Sequence, residues 1–134
     1  HVSYNTKNMI CYAWTEIQGF SKFGSYTGNG NADGPFIYTG FKPAMVILKE
    51  SGASGDNWQI MDNKRKPANP VDGLLKPNAS TAEQDPSDAK DFLSNGFKIK
   101  NSAAENNGSG NTFIYMAFAE SPFVNSNGVP CNAR

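Results

Sequence analysis

The stretch Thr112-Phe113-Ile114-Tyr115-Met116-Ala117-Phe118-Ala119 decides the fold class of this chain. Every residue after Thr112 is apolar, which is the pattern of a β-strand whose two faces are both covered. A second run, residues 44–49, is apolar up to its last residue, Lys49, and has the same pattern. The two runs predict a sheet that lies inside the domain.

Shorter runs outside these two alternate along the chain with the period of two that strands have. Phe36 and Tyr38 share one face of such a run, and similar runs occupy residues 9–15, 57–62 and 97–100. Gly, Asn, Asp and Pro turn signals separate the runs, and only residues 80–94 have the spacing of a short helical turn. We therefore predict an all-β fold, an antiparallel β-sandwich or jelly-roll-like domain with at most one short helical turn.

Composition excludes several classes of function. The 134 residues carry twelve basic and twelve acidic side chains, so net charge gives no case for binding nucleic acid. No apolar stretch is long enough to span a bilayer, so no membrane insertion is expected. The single histidine, His1, leaves no internal imidazole for a Ser–His–Asp triad or a His-rich metal site. We predict no catalytic residue, no metal site and no cofactor.

Two cysteines, Cys11 and Cys131, stand near opposite ends of the sequence. Two are too few for the disulfide framework of a small secreted domain. The alternatives are a single bridge between the ends, or a buried thiol at Cys11 with an unrelated one at Cys131.

The apolar run at residues 113–120 is similar in sequence to a second run near the start of the chain. Residues 9–16, Met-Ile-Cys-Tyr-Ala-Trp-Thr-Glu, resemble residues 113–120, Phe-Ile-Tyr-Met-Ala-Phe-Ala-Glu, at an offset of 104 residues. This internal similarity predicts that residues 1–20 close a preceding repeat, 21–123 form a complete repeat and 124–134 are a C-terminal tail. The alternative is a chance similarity between two strands that end in Glu.

Candidate binding residues combine aromatic rings with polar loop side chains, which is the composition of sugar-binding sites. They are Tyr26, Asn29, Asn31, Asp33, Tyr38 and Trp58. Residues 29–34 also approach the start of a calcium loop, but the twelfth position is Gly40 where such loops place a Glu, so a loop that joins two strands is favoured. For the aromatic residues, the alternative is a place in the core.

Four blocks of sequence resemble a known but poorly characterised domain. They are residues 19–30, 33–43, 91–98 and 114–120. Together they resemble a β domain of tailed phages, notably marine ones, which occurs in long virion-associated proteins. It often follows laminin-G-like or concanavalin-like modules and is often repeated in tandem. No catalytic residue can be carried over from it.

The resemblance implies a non-enzymatic structural module in a virion tail fibre or other surface appendage, extracellular once assembled. Its partners would be copies of itself, often as a trimer, other virion proteins and a glycan of the host surface. The expected contact surface comprises loops 28–34, 51–57, 64–72 and 103–110. Two other hypotheses are a carbohydrate-binding module of a larger secreted protein and a fragment of a depolymerase.

Overall fold

A computed structural model describes residues 10–52, 56–85 and 90–123 of the chain. In these ranges it contains seven strands and one short helix. They are β1 (Ser21–Thr27), β2 (Phe36–Tyr38), β3 (Pro43–Glu50), β4 (Gln59–Asp62), β5 (Lys90–Leu93), β6 (Gly96–Ile99), α1 (Ala104–Asn107) and β7 (Thr112–Ala119).

The larger sheet has four antiparallel strands in the order β1-β7-β3-β4. The decisive stretch forms β7, which lies between β1 and β3 and pairs with both along its length. Ala117, for example, is opposite Lys22 on one side and Val46 on the other. The two continuous apolar runs are therefore the two inner strands of this sheet.

The smaller sheet has three antiparallel strands in the order β2-β6-β5. Its alternation follows the sequence pattern, because Ile37, Phe97 and Ile99 are buried whereas Phe36 and Tyr38 are exposed. Strands β5 and β6 form a hairpin that turns at Ser94 and Asn95.

The hydrophobic core fills the space between the two sheets and is built around aromatic rings. Phe97 of the smaller sheet meets Tyr115 of the larger one edge to face, with ring centroids 5.4 Å apart. Tyr26 stacks on Phe113 at 5.0 Å. Such pairs add to the free energy gained from the buried apolar area. The prediction of an all-β, sandwich-like domain is confirmed.

Two details of the prediction are wrong. Strands β3 and β7 are covered on one face only, because their outward side chains are half-exposed and Ile114 is 41% exposed. The short helix of the described residues is α1. The described parts of residues 80–94, which exclude 86–89, contain no helix, and β5 begins at Lys90. Lys90 and Phe92 both point inward, so a strand's alternation replaces the helical spacing there.

Three further predictions, on the first strand, the cysteines and membrane-spanning segments, can be compared with the structure. Residues 10–16 lie outside both sheets, so the alternating run there forms no paired strand. Cys11 is exposed and not a buried thiol, whereas Cys131 and the tail 124–134 lie outside the described residues. No helix in the described part of the chain is long and apolar enough to cross a bilayer.

Candidate functional site

The loop that joins β1 to β2, residues 28–34, carries three of the six predicted binding residues. We call it the amide loop, because asparagine side chains hold it together. The amide oxygen of Asn29 accepts a bond from the N–H of Asn31 at 2.9 Å, and that of Asn31 accepts one from the N–H of Asp33 at 2.9 Å. The Asn29 side-chain amide donates to the Asp33 carbonyl at 3.0 Å. These amides are used to shape the loop.

Asn107, at the end of α1, is the anchor of the amide loop, and the sequence analysis did not identify it. Its side chain is fully buried. Its Oδ1 accepts the N–H of Asn29 at 2.9 Å, and its Nδ2 lies 2.7 Å from the carbonyl oxygens of Asn31 and Asn101. Close backbone approach accompanies these bonds, since a Cβ on Gly28 would lie 2.3 Å from the Gly108 carbonyl oxygen. The Gly-Asn-Gly signal in the loop was the available indication that another segment packs tightly against it.

Asp33 is the charged member of the amide loop and lies at its surface. Its carboxylate is 2.7 Å from Lys98 Nζ, and the hydrogen bond from Lys98 holds the pKa of Asp33 below its ordinary value. The loop joins two strands, as predicted. In residues 10–52, 56–85 and 90–123, no three His, Cys, Asp or Glu side chains gather in a way that could hold a metal ion.

Tyr26 belongs to the core. Its ring is 9% exposed and its hydroxyl donates to the Asn106 carbonyl at 2.6 Å. Burial raises the pKa of this phenol well above its ordinary value. A ring enclosed in this way between Phe97 and Phe113 offers no exposed face to a ligand.

Tyr38 lies at the far end of β2 and is 64% exposed. It lines an open depression of about 360 Å³ together with the exposed Phe123, and we call this the Tyr38 depression. Polar side chains complete its walls, among them Gln18 and the ion pair of Glu16 with Lys22, 2.6 Å apart. A smaller depression of about 260 Å³ adjoins it and shares Gly40 and Phe123. The Tyr38 depression thus combines aromatic rings with hydrogen-bonding groups.

Trp58 is half-buried just before β4, where its backbone N–H donates to Asn78 Oδ1 at 3.0 Å. It stands beside an edge strand of the larger sheet, whereas Tyr38 ends an edge strand of the smaller one. The six predicted residues therefore do not form one site. They divide among the core, the amide loop, the Tyr38 depression and the start of β4.

An apolar row crosses the outer face of the larger sheet, and the sequence analysis did not identify it. Strand register places its members opposite one another in sequence across β1, β7, β3, β4 and the bridge after β4. They are Phe23, Met116, Ile47, Ile60 and Leu75, which we call the outer band. All are partly exposed, Leu75 at 37%. At the usual strand separation the band spans roughly 19 Å.

The basic cluster in the predicted contact loop 64–72 is paired with carboxylates. Arg65 bonds Asp62 through Nε at 2.5 Å and Glu83 through Nη1 at 2.9 Å, and Lys66 lies 3.1 Å from Asp85. Burial acts to raise the pKa of Asp62, but the bonds from Arg65 and the N–H of Lys64 bring it below its ordinary value. These charges hold the connection between β4 and β5.

Comparison with known proteins gives a family and no function. Residues 1–122 match the family described as a domain of unknown function, DUF7483. No curated protein matches the chain, and no solved structure matches it.

Proposed function

The chain belongs to the DUF7483 family, and we propose that it is a non-enzymatic structural module of a phage virion appendage that assembles with copies of itself through the outer band. The outer band is the observation that carries the proposal. The phage setting rests on the four sequence blocks that resemble virion-associated domains.

The outer band has the character of an assembly surface. Contiguous apolar surface on a folded domain marks a contact with another molecule. Phe118 extends the band, because its ring packs edge to face on that of Phe23 at a centroid distance of 6.0 Å. Because one row runs across all four strands, the same face of a second copy packs against it about a two-fold axis.

The test is the oligomeric state of the purified chain by sedimentation velocity, from the low to the high micromolar range. We expect wild type to associate as concentration rises and Ile47→Lys to remain monomeric, because a charge in the centre of the band is costly to bury. Leu93→Lys is the matched control. Leu93 is half-buried on the outward face of the smaller sheet, so this variant should associate like wild type.

The outcome that contradicts the proposal is a wild-type chain that stays monomeric over the whole range, or an Ile47→Lys variant that associates equally well. Circular dichroism and thermal unfolding establish that each variant is folded. Met116→Gln, a milder change in the same band, replaces Ile47→Lys if that variant does not fold. Release of reducing ends from host polysaccharide by the wild-type chain would contradict the non-enzymatic part.

A carbohydrate-binding module is the second candidate, and the Tyr38 depression favours it. Glycans bind where an aromatic face lies beside amide, carboxylate and ammonium groups, and Tyr38, Gln18, Glu16 and Lys22 supply these. On a glycan array, we expect selective binding by wild type and its loss in Tyr38→Ala. Phe36→Ala is the control, because Phe36 is exposed on the same strand face but does not line the depression. Absence of selective binding by wild type would contradict this candidate.

A further inference from the structure

The Tyr38 depression continues into the smaller depression beside it, and Gly40 and Phe123 line both. Sites for small molecules have volumes of about 300–1,000 Å³. The smaller depression, at about 260 Å³, lies below that range, and the Tyr38 depression, at about 360 Å³, lies near its lower end. The two together lie well within it. We call the two together the Tyr38 groove.

Two exposed aromatic rings lie in the walls of the Tyr38 groove, each against a glycine. Gly40 has φ +83°, and a Cβ on it would lie 3.6 Å from the Tyr38 hydroxyl. The Phe123 ring packs on Gly19, where a Cβ would lie 2.5 Å from it, and the Phe123 N–H donates to the Gly19 carbonyl at 3.1 Å. The side chains of Tyr38 and Phe123 are nonetheless 64% and 67% exposed. Both rings therefore rest on backbone and remain open to a ligand.

An ion pair lines each of the two depressions. Lys22 Nζ lies 2.6 Å from Glu16 Oε1 in the Tyr38 depression, and Lys42 Nζ lies 2.8 Å from Glu120 Oε2 in the smaller one. Among the described residues that line the groove, these four carry all of the formal charge. The bond from Lys42 lowers the pKa of Glu120, and the bond to Glu16 raises the pKa of Lys22. Positive and negative charge therefore balance within each depression.

A neutral polyol is the ligand that such a lining accepts at the lowest electrostatic cost. A hydroxyl group both donates and accepts hydrogen bonds, so one hydroxyl can donate to the carboxylate and accept from the ammonium of the same pair. An anionic ligand is attracted by Lys22 or Lys42, but the carboxylate beside each of them repels it. The rings of Tyr38 and Phe123 add apolar surface on which the C–H face of a sugar can pack.

We infer that the Tyr38 groove binds a neutral oligosaccharide, with at least one sugar unit in each depression. Both depressions offer an aromatic ring beside a Lys–Glu pair, so successive units of one glycan chain meet similar groups. The inference rests on the second candidate function, a carbohydrate-binding module, and specifies the charge and the length of the glycan.

The experiment measures binding of the 134-residue chain to oligosaccharides of one, two and four units by NMR titration, which reaches millimolar affinities. The probes are neutral hexose and N-acetylhexosamine oligomers, with uronate and sulfated oligomers of the same lengths. We expect the best neutral tetramer to bind about 10-fold or more tightly than its monosaccharide, because only the longer chain fills both depressions. Uronate and sulfated oligomers should bind more weakly than neutral ones of equal length.

A substitution that fills the smaller depression separates the two parts of the groove. Ser94 lines this depression and is exposed in the turn between β5 and β6. In Ser94→Phe, the affinity for the tetramer should fall to that for the monosaccharide, whereas monosaccharide binding should stay unchanged in the open Tyr38 depression. Ser102→Phe is the matched control, because Ser102 is also exposed and lines neither depression. Ser121→Phe, on the same depression, replaces Ser94→Phe if circular dichroism shows that variant to be unfolded.

The outcomes distinguish this inference from the candidate function on which it rests. Equal affinity for one and four units would overturn the inference alone, and so would a preference for uronate or sulfated oligomers. Unchanged tetramer binding in a folded Ser94→Phe or Ser121→Phe variant would do the same. In each of these cases the chain still binds glycans, so the carbohydrate-binding candidate stands. Binding to none of the probes would contradict both.

Discussion

The amide loop and the ion-paired start of the connection between β4 and β5 are both polar, but different interactions hold them. The amide loop is fixed by neutral hydrogen bonds that converge on the buried side chain of Asn107. In the connection, ion pairs hold Arg65 and Lys66, whose side chains are 25% and 40% exposed. Farther along it, Val71 and Leu74 are buried and bridge to Lys90 and Gln84. The first therefore gains little from charge, whereas the second is open to screening by salt and to titration.

This difference in interactions determines which segment keeps its conformation and which can change it at small cost. A loop held by buried amides keeps its conformation over a wide range of conditions, because breaking one bond leaves a buried polar group without its partner. A connection held by exposed ion pairs changes at small cost, because such pairs contribute little each. Variation in a contact surface is accordingly better tolerated at the ion-paired residues Arg65 and Lys66 than in the amide loop.

The largest effect should come from Asn107→Ala. Loss of its side chain removes the bonds to Asn29, Asn31 and Asn101 together. We expect a fall of about 3 kcal/mol in the free energy of unfolding, measured by urea denaturation. The control is Asn31→Ala, an exposed residue in the same loop, which should cost about 1 kcal/mol or less. Equal losses in the two variants would show that Asn107 is not the anchor.

A smaller effect is expected from Arg65→Met, which keeps the aliphatic part of the side chain and removes the bonds to Asp62 and Glu83. The expected cost is about 1.5 kcal/mol at low salt, between the values for exposed and buried pairs. High salt should shrink this cost, whereas the cost of Asn107→Ala should not change. A salt-independent cost for Arg65→Met would contradict the contrast between the two regions.

The smallest effect concerns Glu50, a buried carboxyl at the end of β3. Burial and the neighbouring carboxyl of Asp56 raise the pKa of Glu50. The folded state therefore favours the protonated form, and stability falls as the pH rises from the unfolded pKa through the folded one. We expect Glu50→Gln to be more stable than wild type at pH 7 and equal to it below about pH 4. Unfolding curves at the two pH values check this, and a variant less stable than wild type at pH 7 would contradict it.

The sequence alone predicted the strands whose residues either alternate between apolar and polar or are apolar almost throughout. Residues 112–119 and 44–49 became β7 and β3, and Phe97 with Ile99 share the buried face of β6. Each of these patterns is local, so a few consecutive residues are enough to show which face of the strand is buried.

The site was harder to predict because it depends on which strands become neighbours. The outer band joins Phe23, Ile47 and Met116 from three strands, and only the register brings them into one row. Tyr26 has the same local signal as Tyr38, but one packs on Phe113 and the other is exposed. The anchor Asn107 is 78 residues from its partner Asn29, a pairing that no local pattern contains.

Methionine oxidation tests most directly whether the outer band is the assembly surface. Met45 and Met116 lie on the outer face of the larger sheet, whereas Met61 points into the core and is 1% exposed. We predict that their oxidation by peroxide slows severalfold as the chain is concentrated from the low to the high micromolar range, while the slow oxidation of Met61 stays constant. Oxidation of Met45 and Met116 at one unchanged rate over that range would contradict the claim.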